Sequence, residues 1–390
     1  MAYLHVVSPE NIIIVLFYVI TVGGSILVGL NTSWSSSRPS ARLGRGVVFT
    51  LLSLCVFEVC SLIALWVNYG HLLYDERVNP NAWIFEEHPY MVALPHGSKR
   101  YTVDGIEITH NSLGFRGPEF PAKGVKKRVV AIGGSTTYCV DVADKDTWPH
   151  QLEGSLGDSY EVLNLGVAGH GTAEHLYMMG SIASRLQPDV VVLQVGLNDL
   201  HCMHAPTISP VLNTCHSDLY ANSVGQCFVA KLPRLASVRA LVSILQNIGL
   251  APKCPPDPLP GRKHSDLDPR VVEAFKAQVT ALVSMARGMG AQVILVPQVG
   301  FKAASVRQGE YQWWTPYLDQ SALWSLMTGM NRELQGVSQQ LKVPYVDEVT
   351  QITWNDSLFV DASHLTGEGN RKLADLISAV VRTHDNSTGD

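Results

Sequence analysis

A serine, an aspartate and a histidine in this 390-residue chain have the residue types that nucleophilic catalysis requires. Ser135 follows two glycines in VVAIGGSTTYC, and Asp361 precedes His364 by three residues in DASHLT. A serine hydroxyl is a weak nucleophile until a neutral imidazole takes its proton, and a carboxylate on the other ring nitrogen fixes the tautomer and stabilises the cation. We therefore interpret Ser135 as a candidate nucleophile, His364 as its base and Asp361 as the residue that orients the base. Each segment alone is also compatible with a turn or a helix cap.

Two further segments could supply the donors that a tetrahedral oxyanion needs. In NLGVAGHGT, Gly169 allows the backbone to approach a ligand closely, and in VGLND the side chain of Asn198 offers an amide. Thr136 and His170 are neighbours of these candidates and could contact substrate. For His170 the favoured interpretation is a solvent-exposed turn histidine.

These polar segments follow short apolar runs that alternate with helical patterns. The runs lie at residues 129–132, 162–165, 190–195, 292–296 and 343–346. This alternation predicts an α/β fold whose parallel sheet is covered on both faces. In such sheets chemistry gathers at the carboxyl ends of the strands, which is where the candidate residues lie.

Three helices are marked by capping and periodicity. The first is expected to begin at Asp268 and Pro269, and its apolar face comprises Val272, Phe275, Val279, Leu282 and Ala286. The second is expected to span residues 323–341. The third is expected to begin after Thr366, and its apolar face comprises Leu373, Leu376, Ile377, Val380 and Val381. Residues 200–262 interrupt the alternation and are interpreted as an insertion, with a helix near 235–248, that is either a lid or a surface excursion.

The N-terminal region contains two long segments with almost no charge. Residues 12–30 and 47–67 are each long enough to cross the hydrocarbon layer, and the connection 31–46 contains three arginines and no acid. We expect a two-helix transmembrane hairpin over residues 1–70 that binds the lipid bilayer, with the remainder of the chain periplasmic or extracellular. A linker and β-rich lead-in would occupy 71–127, and the main domain 128–390.

Charge and cysteine usage restrict the class of protein further. The net charge of −5, without an extended basic stripe, excludes a nucleic-acid-binding surface. Cys202 and Cys215 could form a disulfide in an oxidising compartment. His201 and His204 beside Cys202 suggest a metal only faintly, because no further ligand spacing supports one, and we expect neither a metal nor a cofactor.

Together the four polar segments resemble the four sequence blocks of the SGNH (GDSL-like) hydrolases, over about residues 128–382. The resemblance implies a three-layer α/β/α sandwich with a flavodoxin-like parallel sheet, and an oxyanion hole formed by the Ser135 N–H, Gly169 and Asn198. The first block here reads Gly-Gly-Ser-Thr instead of Gly-Asp-Ser-Leu. The segment NSLGFRGPEF at 111–120 resembles segments that precede the hydrolase domain in some bacterial membrane-anchored members. The rival α/β-hydrolase fold expects Gly-x-Ser-x-Gly, which is not found around Ser135.

The resemblance leaves three functions open. The first is hydrolysis of O-acyl esters, such as acetyl esters of an envelope glycan or lipid and aryl esters. The second is transfer of the acyl group to a polysaccharide, and the third is an inactive glycan-binding module. Trp313 and Trp314, in YQWWTPY, could present flat aromatic faces to a sugar ring or could pack at a helix entrance.

Overall fold

The structure is a computed structural model that describes residues 55–56, 58–61, 85–86, 91, 94–103, 105–202, 204, 263–310, 315 and 317–387. The chain divides into two units, residues 1–82 with 222–257 and residues 83–221 with 258–390. Residues 55–56 and 58–61 of the first unit are helical. The remainder of both predicted membrane segments, the helix at 235–248, Cys215, Trp313 and Trp314 lie outside the described residues. No helix in the described ranges combines the length and the apolar character that a bilayer crossing requires.

A four-stranded parallel sheet forms the centre of the second unit. Its strands are β5 (Lys127–Gly133), β6 (Tyr160–Asn164), β7 (Val190–Gln194) and β8 (Gln292–Val296), hydrogen-bonded in the order β6-β5-β7-β8. This is the strand order of the flavodoxin-like doubly wound sheet. The strands are apolar runs because both of their faces are buried.

Helices cover both faces of this sheet. They are α1 (Ser135–Tyr138), α2 (Trp148–Leu156), α3 (Thr172–Met178), α4 (Leu197–Cys202), α5 (Pro269–Gly288), α6 (Ala303–Gln308), α7 (Leu323–Leu341), α8 (Glu348–Gln351) and α9 (Gly367–Ser387). Val130 and Val191 share one core with α3, α5 and α7, whereas Val129 and Val192 share the other with α2 and α9. The alternating side chains of each strand therefore divide between two helical layers.

Short antiparallel strands precede the sheet in the chain. β1 (Phe85–Glu86) pairs with β2 (Leu94–Pro95), and β3 (Lys99–Val103) pairs with β4 (Ile106–His110). The segment 111–120 leads from β4 toward the sheet. Phe115 in this segment is fully buried and belongs to the core that contains α3, α5 and α7.

Two details of the predicted elements differ in the structure. The apolar run at 343–346 forms a single parallel bridge, between Leu295 and Tyr345, in place of a strand. On α5, Val271 is buried where the predicted face has Val272, because the helix begins at Pro269 and its buried stripe then passes through Phe275. The first difference shortens one predicted strand to a bridge, and the second moves the start of the buried face of α5 by one residue. The predicted order of elements is unchanged.

Candidate active site

Two glycines form the bend between β5 and α1, and both are required by space. A Cβ on Gly133 would lie 2.1 Å from Thr137 Oγ1 and 2.7 Å from the Gln194 carbonyl oxygen. A Cβ on Gly134 would lie 2.3 Å from Asn198 Nδ2. This narrow bend places Ser135, which is half-buried, at the first position of α1 and at the carboxyl end of the sheet.

Asp361 and His364 are in direct contact on the loop before α9. His364 Nδ1 lies 2.7 Å from Asp361 Oδ2, and the backbone N–H groups of Ser363 and His364 each donate to Asp361 Oδ1 at 2.8 Å. Burial raises the pKa of the Asp361 carboxyl, but the hydrogen bonds from His364 and the two backbone donors outweigh it and lower the pKa to about 2. An ionised Asp361 accepts the proton-bearing Nδ1, which leaves Nε2 as the basic nitrogen of His364.

The nucleophile turn and this loop meet at the same edge of the sheet. Cys139, the residue after α1, is a buried free thiol whose Sγ lies 3.4 Å from the carbonyl oxygens of Thr136 and Thr137 and 3.7 Å from Asn370 Oδ1 on α9. His364 Nε2 is buried and has no hydrogen-bond partner among the described residues, so Ser135 Oγ is not bonded to it here. Catalytic hydrogen bonds of this kind are often long before substrate binds and tighten in the Michaelis complex.

The loops after β6 and β7 are joined through Asn198. Its Nδ2 donates to the His170 carbonyl oxygen at 2.8 Å, which fixes the orientation of the amide. A primary amide has two N–H bonds, so the same nitrogen can donate to His170 and to an oxyanion beside Gly134. Gly169 has a positive φ of 82°, a conformation that favours glycine.

His170 is only 1% exposed, so the interpretation as an exposed turn histidine is wrong. The reason is that the loop folds inward to bring its carbonyl to Asn198. The ring of His170 lies 6.2 Å from the ring of His175, which is also buried. Contact of the His170 ring with substrate stays a prediction.

Asp199, next to Asn198, joins the loops that follow β6 and β7. Its Oδ1 accepts from the backbone N–H of Thr172 at 2.8 Å and from Thr172 Oγ1 at 2.5 Å, and its Oδ2 accepts from the Gly196 N–H at 3.1 Å. Burial raises the pKa of Asp199, and these hydrogen bonds oppose the shift. Asp199, the acidic residue of VGLND, therefore fixes the backbone of the two loops that flank the candidate site.

Gln298 is a neighbour of the site that the sequence reasoning missed. Thr136 Oγ1, next to the candidate nucleophile Ser135, lies 3.3 Å from Gln298 Oε1. Gln298 is buried and follows the carboxyl end of β8, the same position relative to a strand that identified the other candidates. Its position just after a strand was the signal in the sequence that could have identified Gln298 as a candidate.

The lead-in contributes a buried arginine that supports the nucleophile helix. Arg116 is 3% exposed and pairs with Asp144 at 2.9 Å. Its guanidinium also donates to the carbonyl oxygens of Tyr138, Cys139 and Val142, at and beyond the C-terminus of α1. The segment 111–120 therefore fixes the end of the short helix that begins with Ser135.

Replacement of Arg116 by methionine should destabilise the fold. Three buried carbonyl groups would lose the donor that Arg116 supplies, and Asp144 would lose its ion-pair partner and keep only the hydrogen bonds from Thr109. We expect a loss on the order of 3 kcal/mol in the free energy of unfolding. Urea unfolding of Arg116→Met measures this loss, with Arg100→Met as the control because Arg100 is an exposed arginine on the nearby strand β3. Equal unfolding free energies for the two variants would contradict the supporting role of Arg116.

Replacement of Gly134 by alanine should remove the Asn198 amide from the site. Because the added Cβ would lie 2.3 Å from Asn198 Nδ2, we expect kcat for an aryl ester to fall by about 10²–10³-fold, the typical effect of losing one oxyanion donor. Asn198→Ala should reproduce this loss without a steric change. Gly124→Ala is the control, since nothing lies within 4 Å of that Cβ. An unchanged kcat in both site variants would contradict the role of Asn198.

Asp141 adds a second carboxylate near the histidine. A carboxylate oxygen of Asp141, a carboxylate oxygen of Asp361 and a ring nitrogen of His364 lie within 4.8 Å of one another, and this is the one such group of three among the described residues. Asp361 is already bonded to His364 and to two backbone N–H groups, which accounts for its position without an ion. His204, a faint metal candidate in the sequence, accepts from the Asp268 N–H at 3.4 Å through Nε2 and contacts the Leu200 carbonyl at 2.8 Å through Nδ1.

Comparisons with known proteins cover most of the second unit. The model of the GDSL-like lipase/acylhydrolase family matches residues 131–372. An acetylxylan esterase of Xylanibacter ruminicola is 39% identical over 80 residues, which span 18% of this chain and 17% of that protein. Two similar solved structures are a lipase/acylhydrolase from Enterococcus faecalis (14% identity, 66% of this chain, 96% of that chain, TM-score 0.40) and a carbohydrate acetylesterase from Sinorhizobium meliloti (15% identity, 66% and 99%, TM-score 0.38). Because the family model matches more than half of the residues, the chain belongs to the GDSL-like lipase/acylhydrolase family of SGNH hydrolases and is a carboxylic ester hydrolase.

Proposed function

We propose that this chain removes short acyl groups, most simply acetyl, from a glycan through a covalent acyl-enzyme on Ser135. The observation that carries the chemistry is the 2.7 Å contact between His364 Nδ1 and Asp361 Oδ2, which leaves Nε2 as a base. The alignment with an acetylxylan esterase supports a glycan ester as the substrate.

The proposed reaction has two half-reactions. Ser135 Oγ attacks the ester carbonyl while its proton moves to His364 Nε2, and the oxyanion accepts hydrogen bonds from Asn198 Nδ2 and from backbone N–H groups at Ser135 and Gly169. The bond between the carbonyl carbon and the sugar oxygen then breaks, and the sugar oxygen takes the proton from His364. Water then attacks the acyl carbonyl while its proton moves to His364. The bond between the carbonyl carbon and Ser135 Oγ breaks, Ser135 Oγ takes the proton from His364, and the carboxylic acid leaves.

Release of acetate from acetylated xylo-oligosaccharides tests this function. The wild-type chain should release acetate from these oligosaccharides, and Ser135→Ala should not. p-Nitrophenyl acetate serves as the comparison substrate, because it carries the same acyl group and contains no sugar. Hydrolysis of p-nitrophenyl acetate without hydrolysis of acetylated xylo-oligosaccharides or other acetylated glycans would contradict the glycan assignment. Acyl transfer to an added glycan in place of acid release would show that the acceptor is a sugar hydroxyl.

The location of the enzyme is part of the same proposal. Residues 12–30 and 47–67 are proposed to anchor the chain in the plasma membrane, with the connection that contains Arg38, Arg42 and Arg45 in the cytoplasm and the catalytic unit outside. Full-length protein should then stay in the membrane fraction after alkaline carbonate extraction. A fluorophosphonate that cannot cross membranes should label it in spheroplasts, and recovery of the chain in the carbonate supernatant would contradict the anchor.

A further inference from the structure

A cavity of about 490 Å³ lies beside the candidate active site, at the β8 edge of the sheet. One stripe of α7 forms a wall of this cavity, with Trp324, Thr328, Asn331 and Gln335 at helical spacing. The remaining walls come from the segment after β8 and from α8 with the residues that follow it. Its volume lies in the range of small-molecule sites.

Gln298 connects this cavity to the nucleophile turn. Gln298 is among the residues that line the cavity, and its side chain contacts Thr136, the residue after Ser135. Its backbone N–H and C=O are both held by the side-chain amide of Asn331, at 3.0 and 2.9 Å. This pair of bonds fixes Gln298 between the cavity and the candidate nucleophile.

The segment that lines the cavity also contacts the acid–base loop. Lys302, two residues after the cavity-lining Gly300, donates its backbone N–H to the carbonyl oxygen of Ala362 at 2.8 Å. Ala362 lies between Asp361 and His364 in sequence. The segment after β8 therefore connects the cavity to the candidate site at two points, through Gln298 to Thr136 and through Lys302 to Ala362.

The lining combines flat aromatic surface with hydrogen-bonding groups. Trp324 is 42% exposed, and the half-buried Trp354 has its indole N–H fixed to the Val349 carbonyl at 2.9 Å. Gln335 and Arg332 add polar groups, and no carboxylate is among the lining residues, all of which the structure describes. An acyl-chain site would be apolar throughout, whereas a sugar ring offers C–H faces to aromatic rings and hydroxyl groups to amides.

We propose that this cavity is a subsite for a sugar ring of the glycan, next to the ring that carries the acyl group. The inference rests on the proposed glycan esterase function and specifies which surface recognises the glycan. Trp324 is the principal aromatic platform, and Gln298 links the bound sugar to Thr136 at the nucleophile turn.

Two opposite changes to the cavity test the subsite. Trp324→Ala removes the platform, and Thr328→Trp fills the cavity from an exposed position of α7 without removing a core contact. Both should lower kcat/KM for acetylated xylo-oligosaccharides by roughly tenfold and leave kcat/KM for p-nitrophenyl acetate nearly unchanged. Tyr177→Ala on α3 is the matched control, because Tyr177 is 41% exposed and lies outside the cavity lining. Neither rate should change in that variant.

Binding without turnover separates the subsite from the proposed function. Ser135→Ala protein should bind deacetylated xylo-oligosaccharide in isothermal titration, and Ser135→Ala combined with Thr328→Trp should not. Binding by wild type without acetate release would overturn the glycan esterase function and retain the subsite. Acetate release that Trp324→Ala and Thr328→Trp leave unchanged would overturn the subsite alone. A loss of activity toward p-nitrophenyl octanoate that exceeds the loss toward the oligosaccharide would also overturn it, because the cavity would then hold an acyl chain.

Discussion

Ser135→Ala is expected to reduce kcat for p-nitrophenyl acetate by at least about 10⁴-fold, because no other group in the proposed mechanism forms the acyl-enzyme. The midpoint of thermal unfolding should stay within a few degrees of wild type. Ser135 is half-buried at the first position of α1, and the change removes one hydroxyl without creating a cavity in the core.

The control for this variant is a serine outside the site. Ser184 is exposed after α3, and its hydroxyl donates to the Gly180 carbonyl at 2.7 Å. Ser184→Ala should retain the wild-type rate and unfolding midpoint. If Ser135→Ala retained a rate within tenfold of Ser184→Ala, the nucleophile would have to be another residue.

Asp361→Asn is expected to have the second-largest effect, a fall in kcat on the order of 10⁴-fold. The amide oxygen of asparagine can still accept from the backbone N–H groups of Ser363 and His364, so its NH₂ group would face His364 Nδ1. Nδ1 would then accept, Nε2 would carry the proton, and the imidazole could not deprotonate Ser135.

The pKa of Asp361 makes this prediction sharper. At a pKa of about 2 the wild-type carboxylate is ionised throughout the mildly acidic and neutral range, so its own titration does not limit activity there. Because the amide of asparagine does not ionise, raising the pH should not restore the activity of Asp361→Asn. Asp158→Asn, at an exposed aspartate, should behave as wild type. Retention of more than a tenth of the wild-type kcat by Asp361→Asn would contradict the orienting role.

The order of the elements could be predicted because strands buried on both faces are uniform apolar runs and helices packed on one face show a period of 3.6. The position of the Asp361–His364 pair could be predicted for a different reason, since three residues on one short loop bring a carboxylate to an imidazole. Both signals are local in sequence. The oxyanion assignments of Gly169 and Asn198 remain predictions.

The supporting contacts could not be predicted, because they join residues far apart in the chain. Arg116 bonds to carbonyl groups 22 to 26 positions later, and Thr136 meets Gln298 across 162 positions. Neither the charge of Arg116 nor the amide of Gln298 has a periodicity that identifies its partner. The burial of His170 was also missed, since only the folded loop shows that its carbonyl holds Asn198.

The most direct test of the central claim is covalent labelling of the full-length chain with a fluorophosphonate, followed by peptide mass spectrometry. We predict one adduct, on Ser135 Oγ, that forms quickly in wild type and Ser184→Ala, slowly in Asp361→Asn and not at all in Ser135→Ala. An adduct on a different residue, or equal labelling of wild type and Ser135→Ala, would contradict the assignment of Ser135 as the nucleophile.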